Sequence, residues 1–115
     1  MKMDERAMAR EKLDKEQRYM RAQGKREMLP SPWLRRVRQA LGVVAEEMAE
    51  ELDMQRTAIF RLEESEAART ITLKTLDKLA GAMGCKVVYA IVPHQGRTLM
   101  QLAERRGWAK ELLNG

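Results

Sequence analysis

The sequence predicts a mainly α-helical fold: short helices bundled across residues 30–84, one strand behind them, and a helix at each end. Three observations predict it. Apolar residues recur three and four apart through residues 34–83, the spacing that lines one face of a helix. Pro30, Pro32, Gly42 and Gly84 stand where such helices would begin and end. Across residues 85–92 the pattern changes to a β-branched run, closed by Pro93.

Residues 3–28 are rich in helix formers, with no proline and glycine only at Gly24. Met3, Ala7, Met8, Leu13, Tyr19 and Met20 form no continuous stripe, so two readings stay open. One is a solvated helix that docks by a weak face; the other is an arm that orders on a partner. Ser31-Pro32 makes a helix start, and the helix behind it is expected to bury Leu34, Val37 and Leu41 before stopping at Gly42. A second helix is expected over Ala45–Leu52, a third over residues 56–64, and a loop over residues 65–71. Thr72 then caps a fourth helix carrying Leu73, Leu76, Leu79, Ala80 and Met83, which ends at Gly84. Beyond the strand, Thr98 with Gln101 forms a capping box that opens a last helix with Leu99, Leu102, Ala103, Ala109 and Leu112.

The 115 residues suffice for one compact domain with appendages. Aromatics are only 4% of the chain, so the core must come from aliphatic side chains and nine Met; Trp33 and Trp108 read as packing residues near helix ends. No apolar run approaches the roughly 18 residues of a membrane span. The single cysteine, Cys85, allows no internal disulfide, and a cytoplasmic protein without membrane contact is expected. The net charge of +5 suggests a polyanionic partner, yet its distribution is uneven. Residues 1–29 carry 9 Lys/Arg against 6 Asp/Glu (+3), residues 30–84 carry 8 against 9 (−1), and residues 85–115 carry 5 against 2 (+3).

Catalytic chemistry finds little support. His94 sits in a Pro/Gly loop and Cys85 begins an apolar run, where cysteine usually packs. One Cys and one His make no zinc-ligand set, and there is no glycine loop to cradle phosphate. Glu46, Glu47, Glu50 and Glu51 read as a solvated helix face. No catalytic residue, metal or cofactor is expected, and the protein reads as a non-enzyme.

The informative window is residues 45–64. Two helices joined by a three- to four-residue turn must bury a fixed set of positions where they cross. Met48, Ala49, Leu52, Met54, Ile59 and Leu62 occupy them, and a side chain larger than Ala49 would push the third helix away. Gln55, Arg56, Thr57, Phe60, Arg61 and Glu64 are then expected to point outward together, as a face able to enter a DNA major groove. Arg can fork onto guanine, Gln can pair with adenine, and Thr or Phe can meet a thymine methyl.

The run Leu34-Arg35-Arg36-Val37-Arg38-Gln39-Ala40-Leu41-Gly42, with Met48-Ala49-Glu50-Glu51-Leu52 and Ile59-Phe60-Arg61-Leu62-Glu63, resembles the Xre family of phage-repressor-like helix-turn-helix regulators. Ser65-Glu66-Ala67-Ala68, Thr70-Ile71-Thr72-Leu73-Lys74-Thr75-Leu76 and Val88-Tyr89-Ala90-Ile91-Val92-Pro93 narrow the likeness to the mobile mystery protein A group, small regulators encoded beside a Fic-domain protein. The resemblance implies a five-helix DNA-binding domain over residues 30–84; composition and periodicity add a charged N-terminal helix or arm over 1–29 and a dimerising strand and helix over 85–115. It implies base reading by Gln55, Arg56, Thr57 and Arg61, to which the chemistry of the face adds Phe60, with backbone contacts by Arg69, Thr70 and Lys74 and a structural ion pair of Arg38 with Glu63. Where the family has a Ser/Thr cap and a phosphate-reaching Gln at the second helix, this chain has Val44 and Ala45; the turn glycine is Asp53.

A lone strand cannot satisfy its own backbone, so Val87, Val88, Tyr89, Ala90, Ile91 and Val92 must pair either with the same strand of a second copy or with an edge on another protein. The first option gives a homodimer that reads a palindromic operator on double-stranded DNA. Two functions follow from the resemblance: an autorepressing regulator and antitoxin of a Fic-type operon, or a protein that inhibits a Fic-domain toxin directly with little DNA role.

Overall fold

The computed structural model describes residues 2–23 and 32–107. The chain divides into two compact units, one formed by Pro30–Val88 and the other by Met1–Leu29 with Tyr89–Gly115.

The central unit holds four helices among the described residues: α3 (Trp33–Leu41), α4 (Ala45–Leu52), α5 (Arg56–Ala67) and α6 (Leu73–Ala82). The resemblance implied five. After α6, Cys85 N–H reaches back to Ala80 O (2.8 Å) around left-handed Gly84, and no further helix follows before Val88. Leu34, Ala45, Met48, Ala49, Ile59 and Leu79 form the buried core, with Leu52, Met54, Leu62 and Leu76 packed around it. Of the six positions expected at the helix crossing, Met48, Ala49 and Ile59 are fully buried; the other three lie half-buried against them.

The ends of these helices follow from local chemistry. Val43 N–H bonds Arg38 O (3.0 Å) around Gly42, whose φ of 72° favours a residue without a Cβ. Thr72 caps α6 by accepting from Thr75 N–H at 3.1 Å. Three expectations need correction. α5 runs to Ala67 rather than stopping near residue 64, with Glu66 in its last turn held by the first N–H groups of α3. Leu41 and Leu73 are exposed at 54% and 53%: the buried stripe of α3 is centred on Leu34 and Arg38, and that of α6 on Leu79 and Ala80. Trp33 is likewise exposed, with the Arg36 guanidinium 5.2 Å from its ring centroid.

Residues 85–92, where a strand was expected, form no ladder with any of the described residues. The reason is the one that made the strand conditional: a ladder needs a neighbour, and no segment among the described residues offers one. Val88, Tyr89 and Ile91 are exposed at 70%, 67% and 81%.

The terminal unit comprises α1 (Lys2–Glu16), α2 (Arg18–Gln23), a short 3-10 turn (His94–Gly96) and α7 (Leu99–Arg106). α1 packs on α7 and α2 on the turn. Thr98 and Gln101 close the expected capping box on α7. The first N–H groups of α7 also bind Asp14 of α1: Leu99 N–H to Oδ1 at 2.6 Å and Met100 N–H to Oδ2 at 3.3 Å. The inward face of α1 thus carries a carboxylate where a docking helix would usually present leucines, while Met8 is 67% exposed. Ser31, Trp108, Ala109 and Leu112 lie outside the described residues.

Candidate nucleic-acid interface

The interface is built from the turn between α4 and α5. α4 begins at Val44 without a side-chain cap and ends at Asp53, which adopts φ 54° and ψ 50°. That left-handed residue lets Met54 N–H reach Ala49 O at 2.8 Å and turns the chain within three residues. Ala49 is 4% exposed under the crossing, so the two helix backbones approach closely there.

α5 therefore divides by face. Ile59 and Glu63 are buried and Leu62 is half-buried, whereas Gln55, Arg56, Thr57, Arg61 and Glu64 are exposed. Phe60 departs from its expected outward placement. It is half-buried against the core, with the guanidinium of Arg38 5.8 Å and that of Arg56 5.4 Å from its ring centroid. It meets Arg56 in a cation–π contact. Arg56 Nη1 also lies 3.4 Å from Glu46 Oε1, an exposed pair joining the N-terminal turns of α4 and α5.

Arg69, Thr70 and Lys74 are all exposed. Arg69 has φ 63°, and Thr70 N–H closes the turn on Ser65 O at 2.9 Å. Lys74 lies in the first turn of α6, where the helix dipole and unpaired N–H groups favour an anion.

Behind this surface, Arg38 is clamped to Glu63. Its Nε donates to Oε2 at 2.8 Å, Nη2 to Oε1 at 3.1 Å, and Nη1 to Val43 O at 3.2 Å. Hydrogen bonding to Glu63 raises the guanidinium's pKa above its ordinary value, against the opposing effect of burial. Arg35, whose role the sequence did not disclose, adds a third donor to Glu63 at 3.2 Å. Glu66 was also missed: its two oxygens take Trp33 N–H at 2.9 Å and Leu34 N–H at 2.8 Å. The only local signal was Pro32, which supplies no side-chain cap. These carboxylates fix α3 against α5.

Residues 34–89 match the model of the helix-turn-helix family. Over this segment, just under half of the chain, the sequence is similar to the helix-turn-helix family. The match supports a DNA-binding regulator, and the helix-turn-helix geometry above identifies α5 as the helix with the outward polar face. No curated protein and no solved structure matches the chain. Among the described residues no helix is long and apolar enough to cross a membrane.

Proposed function

We propose that the protein is a sequence-specific transcriptional regulator that binds a palindromic operator on double-stranded DNA as a homodimer and represses its own operon. One observation carries the reading: Gln55 at the N-cap of α5 and Arg56, Thr57 and Arg61 on it stand exposed, while Ile59 and Glu63 anchor its other face. Gln55, Arg56 and Thr57 lie at the N-terminal end of that helix, the end that enters the major groove in helix-turn-helix proteins. Arg69, Thr70 and Lys74 contact the phosphate backbone beside it.

Dimerisation is supported by residues 88–91. Val88, Tyr89 and Ile91 are exposed apolar residues, and among the described residues no backbone N–H from Val88 to Val92 has a partner within the chain. Pairing this segment with its copy about a two-fold axis satisfies both demands and sets two reading helices about 34 Å apart on one DNA face.

The deciding experiment is a gel shift on the upstream intergenic DNA. Arg56→Ala should lower discrimination between operator and random duplex by about 5- to 150-fold, the worth of one bidentate base contact. Lys74→Ala should weaken both equally and flatten the salt dependence. Equal wild-type affinity for operator and random DNA would refute the reading. A stable monomer in sedimentation at micromolar concentration would refute the dimer.

The further role of antitoxin to a Fic-domain toxin rests on the resemblance of residues 65–93 alone. It is tested by repeating the gel shift with the neighbouring gene's product. If removal of residues 1–28 abolishes toxin binding and leaves DNA binding intact, the two roles reside in different parts of the chain.

A further inference from the structure

The protein's whole net charge belongs to the terminal unit. Residues 30–88 hold 9 Lys/Arg and 9 Asp/Glu, whereas the remaining residues hold 13 and 8, a balance of +5. Affinity for DNA comes largely from cations that displace counterions from phosphates. A neutral reading unit with Glu46, Glu47, Glu50 and Glu51 on α4 is a poor source of that affinity.

The terminal unit has a place suited to supply it. A concavity of about 480 Å³ is lined by His94, Arg97, Arg105 and Arg106 over Pro93 and Leu102, with no carboxylate among the described residues that line it. Arg105 and Arg106 belong to the last turn of α7, where they also complement the negative end of the helix dipole. Arg97 has no such reason to be there. It directly precedes the N-cap Thr98, at the positive end of the same helix. The 3-10 turn, with Gln95 and Gly96 both left-handed (φ 61° and 70°), brings it into the same concavity. The guanidinium groups of Arg97 and Arg105, lining one concavity, suit phosphate, which they bind by paired hydrogen bonds.

We propose that this concavity is a second nucleic-acid contact, gripping the phosphate backbone of DNA beyond the bases read by α5. It rests on the DNA-binding function proposed above and supplies that function with sequence-independent affinity. Because both units are on one chain, binding by one raises the effective concentration of DNA at the other.

The test uses the full chain, an operator duplex and a random duplex, each titrated across a salt series. Arg97→Ala with Arg105→Ala should lower affinity for both duplexes alike, by about tenfold per lost phosphate contact at 0.1 M salt. The slope of log affinity against log salt should fall by about 0.9 per contact, leaving the operator-to-random ratio unchanged. Arg97→Gln with Arg105→Gln, checked by circular dichroism, repeats the measurement should the alanine pair unfold. An unchanged slope, or a loss confined to the operator, overturns the proposal. If Arg56→Ala abolishes discrimination while the arginine pair changes nothing, only this inference falls. If the wild type binds neither duplex, the regulator reading falls with it.

Discussion

The two units hold their helices by opposite means. In the helix-turn-helix unit, orientation comes from an apolar core in which Met48, Ile59 and Leu79 are buried almost completely. A carboxylate clamp, Arg38 with Glu63, ties the first helix to the reading helix on its border. In the terminal unit, a polar brace sets the contact of α1 with α7. Asp14 accepts the first N–H groups of α7, and Arg21 lies 3.8 Å from the same carboxylate and donates to Asp14 O at 2.6 Å. A helix whose outer face must present bases with a fixed set of side chains gains from close-packed burial, which resists displacement. A unit that grips phosphate needs only approximate placement, since charge acts over several ångströms.

The contrast can be broken or sharpened by mutation. Glu63→Ala strands a buried guanidinium and should cost about 3–5 kcal/mol, read as a fall in the denaturation midpoint. Ile59→Ala opens a cavity beneath the reading helix and should cost about 2–4 kcal/mol by the same measurement. Asp14→Ala removes a helix cap and an arginine partner and should cost about 1–2 kcal/mol, with faster amide exchange at Leu99 and Met100. A cost equal to that of Glu63→Ala would erase the distinction between the units. Asp53→Gly relieves a left-handed non-glycine residue and should stabilise the domain by about 1 kcal/mol in thermal melting. The smallest change is expected from Glu46→Gln, which frees Arg56 from an exposed ion pair. DNA affinity should rise about two- to fivefold by titration, because such pairs are worth at most about 1 kcal/mol.

Local capping pattern was legible at several helix ends. Gly42, Thr72 and the Thr98–Gln101 box act within one helical turn, and each forms the cap its spacing implies. The crossing positions Met48, Ala49 and Ile59 were legible because helix geometry dictates which residues a short turn brings together. The exceptions share one cause. Phe60 sits at an outward position by period yet leans into the core between two arginines, a choice made by neighbours on α3 and at the start of α5. Leu41 follows the apolar period yet is exposed, because the buried stripe of α3 is centred on the arginine three residues before it.

Helix positions, most of the caps and the division of α5 into two faces were therefore determined by the sequence alone, since each depends on residues at most a few positions apart. Tertiary structure decided the rest: that Glu66 caps a helix 32 residues before it, that Asp14 caps one 85 residues after it, and that both ends of the chain share a unit. A carboxylate can serve any helix N-terminus within reach. Which one it meets is settled only when the chain has folded, because a hydrogen bond depends on distance and direction in space and not on separation along the chain.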